Sequence, residues 1–193
     1  MRIISLNVNW ANTSVPQELV DLVGSKQPDI IFLHEVKQSF LEHATKELRS
    51  YNPIQSKNPS FYSTVAFVRG RAAFRFRDGF VQVKQNGISA SSMHFRADVE
   101  KAKKIEKLKA IMDATPGGVV IGDPNCTTLA LCFGSDVDPK FEEARNPKCS
   151  ALNINCQRKP LHDRAWVAKG KFYTIEQIPC SFTDHDALVL TLS

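Results

Sequence analysis

Apolar runs in this chain repeatedly end on residues that can bind a cation or move a proton. Ile3-Ile4-Ser5-Leu6 leads to Asn7 and Asn9, and Ile30-Ile31-Phe32-Leu33 leads to His34 and Glu35. Ser92-Met93 leads to His94, and Val119-Val120-Ile121-Gly122 leads to Asp123 and Asn125. Nearer the C-terminus, Asp163 and Arg164 precede Ala165-Trp166-Val167, and Asp184-His185-Asp186 precedes Ala187-Leu188-Val189-Leu190. A polar side chain at the end of a strand points past the edge of a sheet, where a cleft can form. Carboxylates and an amide oxygen gathered there would make a hard-oxygen site suited to Mg²⁺ or Mn²⁺, and the histidines would serve acid–base roles. Each residue alone has an ordinary explanation: Gly122-Asp123-Pro124-Asn125 is a good β-turn in its own right, and a glutamate after a strand is commonly solvated. The combination, spread along the whole chain, carries the argument.

The elements that must position these residues follow from hydrophobic periodicity. Residues 2–9 alternate as a strand. Ser14 is a candidate N-cap with Gln17 at the capping-box position, Pro16 in the first turn, an apolar stripe of Leu19, Val20, Leu22 and Val23, and Gly24 to end the helix. A buried strand over 29–35 precedes a second capping box at Ser39, whose helix turns Leu41, Ala44 and Leu48 inward. Strands are expected over 61–68, 72–76, 80–83 and 88–95, then a basic helix over 98–113 with Ala102, Ile105, Leu108 and Met112 on its apolar face. A strand over 119–123 follows. Residues 131–160 read mainly as loop with one short helix, and strands over 165–169 and 187–192 close the chain. Many strands and three helices without regular βαβ alternation indicate α/β layers with a largely antiparallel or mixed sheet.

At 193 residues, with 42% hydrophobic and 23% charged residues, the chain reads as one globular domain over 1–193, with no internal repeat or dividing linker. No apolar run approaches the roughly 20 residues needed to span a bilayer, so no membrane partner is expected. The first residues turn polar too soon for a signal peptide, which makes an intracellular, cytoplasmic location the expectation. Five cysteines, an odd number without a Cys-x-x-Cys pair, argue against a disulfide framework or a thiolate zinc site. The net charge of +5 favours anionic partners. Arg69, Arg71, Arg75 and Arg77 interleave with Phe74 and Phe76 and suit a phosphate-tracking surface, whereas Lys101, Lys103, Lys104, Lys107 and Lys109 read as the solvated face of the basic helix.

In order along the chain, these segments resemble the endonuclease/exonuclease/phosphatase superfamily, which includes deoxyribonucleases, apurinic-site endonucleases and inositol-polyphosphate phosphatases. The matching blocks are Leu6-Asn7-Val8-Asn9, Leu33-His34-Glu35-Val36-Lys37, the strand from Tyr62 to Val68, Ser92-Met93-His94-Phe95, Gly122-Asp123-Pro124-Asn125, Asp163-Arg164 with its strand, and Thr183-Asp184-His185. The resemblance implies a four-layered α/β sandwich, two packed mixed or antiparallel sheets flanked by helices, with the site at one edge. It implies that Glu35 is the main metal ligand, with Asn7 beside it and Asp184 as a second metal contact. Asp123 would position or activate the attacking water, Asn125 would hold a phosphate oxygen, and His185 would act on the phosphate with its ring oriented by Asp163. His94 would stabilise the transition state or assist the leaving group, and Arg164, Arg75 and Arg77 would bind substrate.

Some positions depart from the family pattern. His34 replaces the usual glutamine, Thr183 the usual serine, and Pro124 an aromatic residue or leucine. Residues 59–63 contain no acid to pair with His94. The expectation is a Mg²⁺- or Mn²⁺-dependent phosphodiesterase acting on DNA or RNA, with no protein partner deducible. The alternatives are an enzyme for phospholipid or inositol headgroups and an inactive binding protein on the same scaffold.

Overall fold

The computed structural model describes residues 1–55, 64–77, 80–125, 138–144 and 163–193. Five strands and two helices come first: β1 (Arg2–Asn7), α1 (Gln17–Lys26), β2 (Ile30–His34), α2 (Gln38–Glu47), β3 (Tyr51–Ile54), β4 (Thr64–Arg69) and β5 (Ala73–Arg77). Then follow β6 (Phe80–Gln85), β7 (Ile88–His94), α3 (Lys101–Asp113), β8 (Val119–Asp123), β9 (Phe141–Glu143), β10 (Arg164–Ala168), β11 (Tyr173–Pro179) and β12 (Asp186–Leu192).

The strands form two six-stranded sheets, ordered β11-β12-β1-β2-β4-β3 and β5-β6-β7-β8-β10-β9. Strand alternation sorts the side chains into three apolar layers. Ile3, Ile30, Phe32, Ala66 and Val68 of the first sheet meet Val81, Val83, Val119, Ile121 and Val167 of the second, forming the core between the sheets. On the far side of the first sheet, Ile4, Leu6, Ile31 and Leu33 pack against Leu19, Leu22 and Val23 of α1 and Phe40, Leu41 and Ala44 of α2. On the far side of the second, Met93, Val120 and Trp166 pack against Leu108, Ile111 and Met112 of α3. The layers are therefore helices, sheet, sheet and helix, the expected four-layered α/β sandwich.

Each sheet is mixed because it contains one parallel pair, β1 with β2 and β7 with β8. Parallel neighbours end side by side, so Asn7 lies next to His34, and His94 next to Asp123. The antiparallel partners enter at the same end: β12 starts at Asp186 beside β1, and β10 starts with Arg164 opposite Gly122. The inter-sheet space thus changes character along its length, from isoleucine and valine at one end to Ser5, His34, Ser92, Asn7, His94 and Asp123 at the other, all buried.

Local boundaries differ from the sequence expectations. Pro16, not Ser14, is the N-cap of α1, and the helix runs through Gly24 to end on Gln27 in the left-handed conformation. Lys37 rather than Ser39 precedes α2, and neither helix start carries a side-chain cap. Docking of the apolar stripes supplies the stability that caps would otherwise add. The apolar face of α3 is Lys104, Leu108, Ile111 and Met112, one step round from the expected stripe. Strands β3 and β11 were not legible: Tyr51–Ile54 contains Pro53, and both strands lie at sheet edges, where burial patterns are broken. Within 131–160 the described residues contain β9 instead of loop, and the expected helix there lies outside the described residues. Cys180, the only cysteine among the described residues, is buried.

Candidate active site

Three residues at the polar end hold left-handed backbone without being glycine: Asn9 (φ 61°), Glu35 (φ 56°) and Asn125 (φ 49°). Each follows directly or closely on a strand end, and the reversal turns its side chain or its neighbour's back over the sheet edge. Non-glycine residues pay for this conformation, and such strain concentrates where function requires an orientation.

Glu35 accepts hydrogen bonds from Asn7 Nδ2 (3.0 Å) and from the Trp10 backbone N–H (3.2 Å), and its Oε1 lies 3.3 Å from His94 Nε2. Burial opposes its charge, but hydrogen bonds from His94, Asn7 and Trp10 outweigh burial and hold the carboxyl at about 2. Asn7 Nδ2 also reaches Asp123 Oδ2 (3.2 Å), while its Oδ1 accepts the Asn9 N–H (3.0 Å). Reversing the amide would set its oxygen against two carboxylates and its NH₂ against an N–H, so the observed orientation is dictated. Asn7 therefore orients Glu35 and Asp123 through its nitrogen.

Asp123 is fully buried and accepts the Asn125 backbone N–H at 2.7 Å. Burial first, then the charge of Asp163, pushes it up to about 6 against the opposing pull of His94 and His185. His185 donates Nδ1–H to Asp163 Oδ2 at 2.6 Å, leaving Nε2 directed toward Asp123 Oδ2 (4.0 Å) and Asp184 Oδ1 (3.7 Å). Burial alone would lower the His185 pKa. The Asp163 hydrogen bond and charge, aided by Asp123 and Asp184, overcome that and raise it to about 9. Asp163 itself is raised by burial, with the His185 contact pulling the other way. The expected His185–Asp163 pair is present, and Asp184 stands at its exposed side.

His94 Nε2 lies 3.1 Å from Asn125 Nδ2, and that amide nitrogen donates to the Phe95 carbonyl at 2.7 Å. Residues 59–63, where the resemblance places an acidic partner for His94, are outside the described residues. Glu35 and Asp123 (3.7 Å) are the acidic neighbours of its Nε2.

Arg164, expected to bind substrate, is placed in a buried ion pair: its guanidinium is 3% exposed and donates to Glu143 at 2.9 Å, tying β10 to β9. Its strand alternation puts it under the sheet, and a buried guanidinium requires a carboxylate. His34 is fully buried, with Nδ1 at 3.0 Å from Thr64 Oγ1 and Nε2 at 3.1 Å from Ser5 Oγ, and burial followed by the nearby His94 and His185 pushes its pKa well below the usual value. It is a neutral bracket beneath the site. Arg75 and Arg77 are exposed on edge strand β5, with Arg77 in register with Phe80 and hence with Met93 at the site end.

Sequence reasoning missed Lys104, Trp10 and Thr183. Thr183 Oγ1 donates to the Asn7 carbonyl (2.9 Å) and accepts the His185 N–H, fixing the loop before β12. Lys104 had a signal: it lies at the i, i+4, i+7, i+8 spacing with Leu108, Ile111 and Met112. The Trp10 contact uses its backbone N–H, which leaves no trace in residue type.

No protein-family model matches the chain, and no curated protein does. Solved structures do. A TDP2 from D. rerio complexed with a single-strand DNA product superposes with a TM-score of 0.69 at 17% identity, covering 100% of this chain and 98% of that one. The chain has the endonuclease/exonuclease/phosphatase fold. An AP endonuclease from Archaeoglobus fulgidus and a 3'-5' exonuclease from Neisseria meningitidis share this architecture, each with a TM-score of 0.68 at 15% identity, covering 100% of this chain and 99% and 100% of theirs.

The carboxylates of the site fit a hard dication: Asp123 and Asp163 belong to a cluster with His185 whose ligand atoms lie within 4.8 Å of one another, and Glu35 is joined to Asp123 through Asn7. Burial and the charge of Asp163 raise Asp123, and a cation beside it would favour its ionised form.

Proposed function

We propose that this chain is a divalent-metal-dependent hydrolase that cleaves phosphodiester bonds in nucleic acid. The observation carrying this reading is the convergence of Asn7, Glu35, His94, Asp123, Asn125, Asp163 and His185 at the carboxyl ends of both parallel strand pairs. The likeness to structures named as an AP endonuclease, an exonuclease and a DNA-bound TDP2 supports nucleic acid as the substrate class.

Glu35 would hold Mg²⁺ or Mn²⁺, with Asp184 as a further oxygen donor; when bound, the ion neutralises phosphate charge and acidifies water. The remaining work falls to the chain. His185, protonated at neutral pH through Asp163, presents Nε2–H to a non-bridging phosphate oxygen as negative charge grows there. Asp123, anchored by Asn7 and the Asn125 N–H, takes the proton of the attacking water as its oxygen bonds to phosphorus. Asn125 Nδ2 donates to a phosphate oxygen, and His94 supports the leaving oxygen as its bond to phosphorus breaks.

The test is cleavage of plasmid, single-stranded DNA, RNA, bis-p-nitrophenyl phosphate and an inositol-phosphate headgroup, with Mg²⁺, Mn²⁺ or EDTA, for the native protein and Glu35→Gln. Metal-dependent cleavage of a nucleic acid that falls at least about 100-fold in Glu35→Gln is expected, a loss of roughly 2.7 kcal/mol of transition-state stabilisation. Cleavage of the headgroup alone, or of nothing, would overturn the reading.

A further inference from the structure

Lys104 is 4% exposed in the first turn of α3, while Lys101, Lys103, Lys107 and Lys109 on the same helix are exposed. Burying an ammonium is costly unless its donors are satisfied. Its Nζ donates to the Asn125 carbonyl at 2.8 Å and to the Ala97 carbonyl at 3.3 Å. Ala97 belongs to the segment that leaves β7 after His94, and Asn125 ends the turn that leaves β8 after Asp123. A single ammonium thus joins the two segments that leave the strands ending in His94 and Asp123.

Asn125 is the residue whose geometry depends on this. It is left-handed at φ 49° with contacts on three of its polar groups: its N–H donates to Asp123 Oδ1, its Nδ2 to Phe95 O, and its carbonyl accepts from Lys104. Without the ammonium, the carbonyl would be free to turn toward water and the peptide could relax from the left-handed region. The side-chain amide beside His94 and the N–H on Asp123 would move with it.

We propose that Lys104 is a positioning residue of the active site, fixing the Asp123–Asn125 turn against the segment that follows His94. The role in catalysis rests on the phosphodiesterase reading; the geometry does not.

The experiment compares the native protein with Lys104→Met and Lys104→Arg at saturating Mg²⁺, and follows hydrogen exchange of the Asn125 side-chain amide by NMR without metal. Lys104→Met should lower kcat about tenfold or more, the equivalent of 1.4 kcal/mol, with KM changed less than about twofold. Exchange at Asn125 should quicken, and Lys104→Arg should recover most of both. Unchanged kcat with unchanged exchange, or equal losses in the methionine and arginine variants, would overturn the assignment. If Lys104→Met does not fold, Lys104→Gln, which keeps a shorter neutral donor, takes its place and should fall between the native and arginine-rescued behaviour on one side and full loss on the other; behaviour identical to the native protein would refute the need for the ammonium. A native protein that cleaves nothing would sink the phosphodiesterase reading alone, since the exchange measurement still decides what Lys104 holds.

Discussion

His185 and Asp163 show how one contact reverses what burial dictates. Desolvation favours the neutral ring, yet the 2.6 Å bond to Asp163 keeps it protonated up to about pH 9. Replacing Asp163 with Asn keeps the shape but removes the charge, leaving burial to act with less opposition. The His185 pKa should therefore fall from about 9 toward or below the ordinary 6.5. Following the ring Cε1–H by NMR from pH 5 to 10 in EDTA measures this directly. At pH 8 the native ring is charged and the variant ring neutral, so activity at that pH should fall as well. A titration curve unmoved by the substitution would show that the charge on His185 has another source.

At the level of elements, the site depends on two parallel pairs, each ending at the same edge of the sandwich. In the β7–β8 pair Gly122 lies opposite Met93. A Cβ on Gly122 would sit 2.1 Å from the Met93 carbonyl oxygen, and its φ of 150° is one that side chains rarely adopt. Gly122→Ala must separate the strands immediately before His94 and Asp123. Equilibrium unfolding in denaturant should show a loss of about 1–3 kcal/mol. A larger proportional loss of kcat is expected in the folded fraction, because the displaced residues adjoin the chemistry. Native stability in Gly122→Ala would mean that the strands can part there without cost.

Across the whole molecule the net charge is +5, and the exposed arginines of β5 lie on the sheet that carries His94 and Asp123. Arg77 aligns through Phe80 with Met93, two strand spacings or about 10 Å away. A backbone crossing the site could reach it. With catalytically silent Asp123→Asn protein, log affinity for duplex should fall linearly with log salt, by about 0.9 per phosphate neutralised. Arg75→Gln with Arg77→Gln should flatten that slope and weaken all sequences alike. Fluorescence anisotropy over a salt series measures both; an unchanged slope would place the phosphate path elsewhere. No helix among the described residues is long and apolar enough to cross a membrane.

Alternation and strand-end polarity are local properties, so the sequence by itself determined the layered α/β class, most strands, and the polar residues at their ends. Asn7, Glu35, His94, Asp123 and His185 were legible because a polar residue closing an apolar run violates the pattern that a buried strand otherwise keeps. Which of them touch was decided only by the tertiary structure, since register and sheet pairing act between segments distant in the chain: Asn7 meets Asp123 across 116 positions. The same long-range pairing turned Arg164 inward to Glu143, made His34 a neutral bracket, and drew Lys104 off the helix surface to the Asn125 carbonyl. In each case the residue type was compatible with two environments, and the partner available in the folded state chose between them.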